Sequence, residues 1–263
     1  MEKIKLQNIY FQYDGTNTPI LEDINLSVTA GEFICVLGPS GCGKSTLISI
    51  LSSLQKPTSG HYYIDGNEVG SPGLERGVVF QHYSLFPWLT ARENIVFGIR
   101  QSRKDISKKE CNQVADVYLE KVGLADYGDY KPAHLSGGQQ QRIAIARALA
   151  MNTEILLLDE PFGAIDTKNR HSLQKLISDL HEEEKKTFIF VTHDIEESIV
   201  LADRIVFMIP KQVYKIIDVN ISKPKEYEQM RNETDFINLR EELVDLFYRK
   251  HKNLSYDQME AQI

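Results

Sequence analysis

The sequence predicts an α/β fold in which a core with a parallel sheet carries an antiparallel β subdomain at its N-terminus and an inserted helical subdomain. Residues 1–30 alternate apolar and polar side chains, as antiparallel strands with one buried face do. Residues 33–37, 155–158 and 187–192 are short apolar runs typical of buried parallel strands. Residues 86–150 are mostly helical in pattern. Together these segments indicate a parallel sheet with helices on its faces.

Composition narrows the class of protein before any motif is considered. The chain has 263 residues and a net charge of −7, with no long basic cluster, so we expect no nucleic-acid partner. No apolar run approaches the roughly 20 residues of a membrane-spanning helix, and residues 1–6 do not begin a secretory signal. Cys35, Cys42 and Cys111 lack metal-ligand spacing and favour reduced thiols in a cytosolic compartment.

The elements follow one another in a consistent order. The antiparallel strands come first, and residues 31–85 then hold a glycine-rich loop, its helix and a further pair of strands near residues 62–64 and 77–80. A helix is expected over residues 109–122, and strands and helices alternate again over residues 151–210.

The C-terminal residues of the chain are expected to form a helical extension that follows the main domain. We expect one domain over residues 1–220, with its helical subdomain at about 86–150, and a helical extension over residues 221–263. The extension has an apolar helical face that should pack on the core, formed by Phe236, Leu239, Leu243, Leu246 and Phe247.

The glycine-rich loop is a phosphate-binding motif. It reads Gly38-Pro39-Ser40-Gly41-Cys42-Gly43-Lys44-Ser45-Thr46 and lies between an apolar strand and a helix. Its glycines let backbone N–H groups approach phosphates, Lys44 supplies a positive charge, and the Ser45 hydroxyl is suited to ligate Mg²⁺. The sequence therefore predicts that the chain binds a nucleoside triphosphate.

A second motif lies about ninety residues downstream and reads Leu135-Ser136-Gly137-Gly138-Gln139-Gln140-Gln141-Arg142. Ser136, Gly137 and Gly138 precede a helix expected over Gln139–Ala150, so a hydroxyl, backbone N–H groups and a helix dipole converge there. A capped helix start with no further role is the alternative. The apolar strand at residues 155–158 then ends in Asp159-Glu160.

These motifs resemble those of the nucleotide-binding subunits of ABC transporters, over most of residues 1–210. The resemblance implies that Glu160 is the general base that polarises the attacking water. It implies a Mg²⁺ site formed by Ser45, Gln81 and Asp159, in which Gln81 also senses the γ-phosphate. His193, after an apolar strand, matches the family's switch histidine.

Two further residues acquire roles from the resemblance. Tyr13 lies where the family places an aromatic ring that stacks on adenine, and Phe11 is the competing candidate; a plain core aromatic is the alternative for either. Asp166 matches a loop near the dimer axis. The resemblance also implies a head-to-tail dimer, with a second copy or a paralogous ATPase, in which each ATP lies between one loop and the other chain's Ser136-Gly137-Gly138.

The segment Gln81–Ile95 is similar to that of import ATPases for nitrate, sulfonate and taurine, although Gln139 and Pro210-Lys211-Gln212 depart from that subgroup. The similarity implies an ATPase on the cytoplasmic face of the cell membrane that serves a permease and, indirectly, a substrate-binding protein. Trp88 either packs the hinge of the helical insertion or contacts the partner. An exporter or lipid-extracting complex, and a soluble ABC-type ATPase outside transport, are the rival functions.

Overall fold

The computed structural model describes residues 1–81, 84–163, 167–221 and 230–260, with side chains omitted at 167–169 and 249–260. The chain forms two compact units. The first comprises Met1–Gly70 and Phe190–Ile263, and the second comprises Ser71–Ile189. The predicted α/β class is confirmed, because parallel strands, an antiparallel N-terminal sheet and helices are all present.

The antiparallel sheet of the first unit has the strand order β2-β1-β4-β5. These strands are β1 (Glu2–Phe11), β2 (Leu21–Thr29), β4 (Ser59–Ile64) and β5 (Asn67–Glu68). The alternation in β2 confirms the predicted pattern. Buried and more exposed side chains alternate along the strand from Leu21 to Val28, with one irregularity at Asp23, where φ is positive.

The other strands of the first unit lead to the glycine-rich loop. They are β3 (Phe33–Leu37), β9 (Arg204–Ile209) and β10 (Gln212–Asp218), with α1 (Lys44–Leu51) and α6 (Ile195–Leu201) as helices. Strand β3 is parallel to β9, and β10 is antiparallel to β9. All five residues of β3 are buried, as expected for a strand covered on both faces. Strand β8 (Thr187–Thr192) carries the chain from the second unit into the first.

In the second unit, β6 (Arg76–Val79) and β7 (Ile155–Asp159) are parallel neighbours. The two strands expected near residues 62–64 and 77–80 are present as β4 and β6, and they have different partners: β4 pairs with β1, and β6 pairs with β7. Both segments are β-branched or aromatic, so their propensity identified strands but not partners. The helices are α2 (Ala91–Ser102), α3 (Lys108–Lys121), α4 (Gly137–Ala150) and α5 (Thr167–Glu184).

The last helix, α7 (Thr234–Glu260), packs on the first unit as its apolar pattern predicts. Phe236 and Leu243 are buried, and the Phe247 ring lies 5.6 Å from the Phe207 ring of β9. An ion pair of 2.6 Å joins Lys215 of β10 to Glu242 of the helix. No helix in the described parts of the chain is long and apolar enough to span a bilayer.

A network of charged side chains joins α3 to the end of α5 inside the second unit. The Lys121 ammonium lies 2.5 Å from a carboxylate oxygen of Glu184 and 2.9 Å from one of Glu183. Lys186 lies 3.0 Å from the other Glu184 oxygen, and the Tyr118 hydroxyl donates to Glu184. Burial opposes the charge of Lys121, but its bonds to both carboxylates outweigh burial and raise its pKa to about 12.

The same network lowers the pKa of Glu184, because bonds from Lys121 and Lys186 outweigh the effect of burial. A lowered carboxyl pKa contributes stability that is present above the unfolded value and is lost as the pH falls through the folded value. A lysine pKa raised to about 12 contributes stability that is lost only at strongly alkaline pH. The network is therefore formed throughout the neutral range.

We predict that Lys121→Met lowers the free energy of unfolding at pH 7 by about 1–3 kcal/mol, between the values for exposed and buried ion pairs. The loss should shrink at acidic pH, as the pH falls through the lowered pKa of Glu184. Lys175→Met is the matched control, since its ion pair with Asp179 on α5 is exposed and spans one helical turn; it should cost less than about 0.5 kcal/mol. Urea denaturation measures both, and equal losses would contradict the prediction.

Candidate functional site

The glycine-rich loop connects β3 to α1 in the first unit and turns back on itself around Lys44. The Lys44 side chain is only 5% exposed, and its ammonium donates to the carbonyl oxygens of Gly38 at 2.8 Å and Pro39 at 3.0 Å. Ser45 is exposed in the first turn of α1, whereas Thr46 is buried. The Lys44 ammonium is thus held by two carbonyl groups of the loop's own backbone.

Close packing leaves no room for a side chain at two glycines of the loop. A side chain at Gly38 would meet the Met208 carbonyl oxygen at 2.5 Å. Gly43 has φ +110°, and a Cβ there would lie 2.6 Å from Leu21 Cδ2. Gly41 also has positive φ, +80°, yet its Cβ would enter open space. Glycine is therefore required at position 43 for both conformation and room.

The amino end of α1 is prepared for a ligand. Gly43 precedes the helix and makes no side-chain cap. By contrast, α2, α3, α4 and α6 each begin with a Ser, Thr or Asp side chain that accepts a bond from the helix backbone. The first N–H groups of α1 carry the positive end of the helix dipole, which suits an anion.

The first unit also distinguishes the two aromatic candidates. Phe11 is buried, so it matches the core alternative, while Tyr13 is 44% exposed and packs edge-on against Phe11 at 4.9 Å. The exposed ring of Tyr13 is thus available to stack on a base, and Phe11 supports it from below.

His193 is exposed just after β8, and the residues on either side of it are fixed. The Thr192 hydroxyl donates to the buried carboxylate of Glu197 at 2.6 Å and accepts from the Asp194 N–H at 3.0 Å. The Asp194 carboxylate in turn caps α6. No sequence motif marks Glu197; its five-residue spacing from Thr192 across a helix start is the signal that points to it.

The second unit brings Gln81, Asp159 and Glu160 to the same edge of its sheet. β6 and β7 are parallel with Val79 opposite Leu158, so Gln81 and the two carboxylates follow the matching strand ends. The Gln81 side-chain nitrogen lies 3.4 Å from the position of a Cβ on Gly163, which places Gln81 against the turn after Glu160. Glu160 has φ +43°, a sparsely populated conformation that is common at active sites.

The second motif begins α4 with a complete capping box. Ser136 Oγ accepts from the Gln139 N–H at 3.3 Å, and the Ser136 N–H donates to Gln139 Oε1 at 2.9 Å. The helix begins at Gly137 rather than at the expected Gln139. The expected start was wrong because Ser136 caps the helix directly, so both glycines lie in its first turn. The space beside Gly138 is open.

Asp166, predicted near the dimer axis, lies outside the described residues. Trp88 is 66% exposed, so it does not fill the core of a hinge. Its ring contacts Phe86 at 5.4 Å, and Phe86 contacts Phe97, also exposed, at 4.6 Å.

Comparisons with known proteins identify the family. A family model described as ABC transporter matches residues 21–163, from the start of β2 past both carboxylates. The chain belongs to the ABC transporter family. It is 45% identical to the nitrate import ATP-binding protein of Synechococcus elongatus, over 88% of this chain and 85% of that protein. It is 38% identical to a bicarbonate transport ATP-binding protein of Synechocystis, over 94% of this chain and 89% of that protein.

A solved structure supports the family assignment at the level of the fold. The chain matches an ATP-binding cassette, solved as a dimer in a post-hydrolysis state bound to ADP and Pi, with a TM-score of 0.75 and 35% identity. The match covers 83% of this chain and all of that one. As a member of the ABC transporter family, the chain is a nucleotide-binding ATPase.

We predict that Gly43→Ala lowers the free energy of unfolding by about 2–4 kcal/mol, because it combines a left-handed conformation with overpacking against Leu21. Gly41→Ala is the control with the same kind of backbone and free space, and it should cost about 1–2 kcal/mol. Urea denaturation measures the free energy of unfolding of both variants, and the difference between their losses is the cost of packing against Leu21. Equal losses would mean that the contact with Leu21 has no energetic effect.

Proposed function

We propose that this chain is the ATP-hydrolysing subunit of an ABC importer that drives uptake of a small anion, of the nitrate, bicarbonate or sulfonate kind, through a separate permease. The observation that carries the ATPase part is the uncapped amino end of α1 beside the enclosed Lys44 ammonium. The import of an anion is supported by relatives named for nitrate import and bicarbonate transport.

ATP binds at the glycine-rich loop of residues 38–46. Its β- and γ-phosphates take the first N–H groups of α1, and Lys44 turns from the carbonyls of Gly38 and Pro39 to the phosphate oxygens. This exchange replaces two neutral acceptors by charged ones, which form stronger bonds with an ammonium. Tyr13 stacks on adenine through its exposed ring.

The donor set fits Mg²⁺ better than a softer metal. Ser45 supplies a hydroxyl, Gln81 an amide oxygen and Asp159 a carboxylate, all hard oxygen ligands. Within the described residues, no group of three or more His, Cys, Asp or Glu side chains offers another metal site. The ion, when bound, neutralises charge on the phosphates while the protein's oxygens hold it.

Hydrolysis requires a base beside the γ-phosphate, and Glu160 supplies it. The carboxylate accepts a proton from the attacking water and orients it in line with the leaving group. The positive φ of Glu160 turns this residue away from the direction of β7. His193, held between the Thr192–Glu197 bond and the Asp194 cap, contacts the γ-phosphate. Gln81 reports whether that phosphate is present.

The second motif acts on the nucleotide of another subunit. Ser136, Gly137 and Gly138 present a hydroxyl and a helix start with open space beside Gly138. A head-to-tail dimer, of this chain or with a paralogous ATPase, would place each ATP between one loop and the partner's motif, with Asp166 near the axis. Such a dimer is supported by the dimeric cassette that the chain resembles. Loss of the γ-phosphate removes shared contacts and opens the dimer.

The exposed aromatic group of Phe86, Trp88 and Phe97 is the surface for the permease. The Arg147 guanidinium lies 5.7 Å from the Phe86 ring and donates to the Ser84 carbonyl at 2.9 Å, so the surface is braced from α4. Exposed aromatic residues that rest on a firm base are typical anchors of interfaces. Bound to the permease, the subunit is peripheral on the cytoplasmic face, and it meets the substrate-binding protein only indirectly.

Glu160→Gln provides the direct test of the ATPase mechanism. The change keeps the size and hydrogen bonding of the side chain but removes the base, so hydrolysis should fall by roughly 10²–10⁴-fold. ATP binding should persist, and an ATP-bound dimer should be isolable by size-exclusion chromatography. Glu154→Gln is the matched control. Glu154 is exposed and lies just before the first residue of β7, at the end away from Glu160, so this variant should hydrolyse ATP normally. Near-normal turnover by Glu160→Gln would refute the assigned base.

A further inference from the structure

Three successive glutamines on α4 have different environments. Gln139 closes the capping box with Ser136, and the Gln140 amide donates to the Pro132 carbonyl at 3.0 Å. Gln141 is 0% exposed, yet neither its Nε2 nor its Oε1 has a hydrogen-bond partner in the part of the chain that the structure describes. Gln141 is therefore a buried polar side chain without a hydrogen-bond partner among the described residues.

A buried amide without partners is unfavourable, because it has lost the water that satisfied it in the unfolded chain. Native proteins retain few such groups, and each calls for a reason. An apolar side chain of the same size would suit the nucleotide-free protein at least as well. The amide at position 141 therefore points to a second state in which its bonds are made.

The position of Gln141 follows from its helix. Residues 141, 145 and 148 lie on one face of α4, and the Ala148 methyl lies 3.3 Å from the position of a Cβ on Gly77 in β6. The Glu154 N–H, just after α4, bonds to Glu75 just before β6, so α4 runs antiparallel to β6. Its amino end therefore lies towards the carboxyl end of that strand.

The lengths of α4 and β6 show which residues after β6 lie opposite Gln141. Seven residues of helix rise about 10 Å, and three residues of strand cover about the same length. Gln141 thus lies level with Phe80 and Gln81, roughly three residues beyond Gly77.

We infer that Gln141 is a positioning residue that hydrogen-bonds the backbone at Phe80 and Gln81 when ATP is bound, and so joins the Ser136 motif to the glutamine that senses the γ-phosphate. The inference rests on the proposed function. In the nucleotide-free protein the amide is unsatisfied, and a shift of the chain after β6 towards α4 supplies its partners. The two ends of the coupling are then the γ-phosphate at Gln81 and the partner's nucleotide at Ser136.

Gln141→Met tests this inference, since methionine matches glutamine in length and helix propensity but has no amide. In the nucleotide-free protein the urea midpoint should stay the same or rise. The KM for ATP should be unchanged, because the glycine-rich loop is intact, while kcat should fall roughly 3- to 30-fold. Gln140→Met is the matched control. It should lower the urea midpoint, because it removes the donor to Pro132.

The outcomes separate this inference from the proposed function. A wild-type protein without ATPase activity would overturn the proposed function. Normal kcat in Gln141→Met beside an active wild type would overturn the role of Gln141 alone. A lowered urea midpoint, or failure of Gln141→Met to fold, would also overturn it, since the amide would then carry a bond without nucleotide. A fall in kcat with unchanged KM and midpoint supports it.

Discussion

The amino end of α1 has to remain uncovered, and the rest of the first unit is arranged around that constraint. Gly43 turns the chain with φ +110° while Leu21 occupies the space where a side chain would lie. Gly43 has no side chain to cap the helix, so the positive end of the helix dipole is left to a phosphate in the proposed function. The Lys44 ammonium meanwhile rests on two loop carbonyls, so the loop is formed before nucleotide arrives.

Helix α4, which starts within the second motif, begins in the opposite way to α1. Ser136 is fully engaged in a capping box with Gln139, so this helix start is rigid before it meets a nucleotide. The two helix starts thus differ in kind: α1 has no side-chain cap, whereas α4 is capped by Ser136 and, in the proposed dimer, presents a preformed surface to a partner's ligand. This division suits a dimer in which ATP completes an interface, because the surface that closes on ATP needs little rearrangement.

The fold and the main motifs were predictable because they depend on local patterns. The apolar run of β3 and the spacing of glycines before Lys44 have physical meaning without tertiary context. The strands with which β4 and β6 each pair were not predictable, because strand propensity does not specify a partner. Nor was the contrast between Gln140 and Gln141 predictable, since identical neighbours on a helix point about 100° apart and only packing decides which is buried.

The central claim is that each ATP is held by the loop of one subunit and the Ser136 motif of another. Mixing two variants that are inactive alone, Lys44→Ala and Ser136→Arg, tests it most directly. A mixed dimer contains one composite site in which both halves are intact, so ATP hydrolysis should reappear on mixing and rise with total protein concentration. If the mixture stays as inactive as its components while the wild type hydrolyses ATP, the two motifs do not share a nucleotide across subunits.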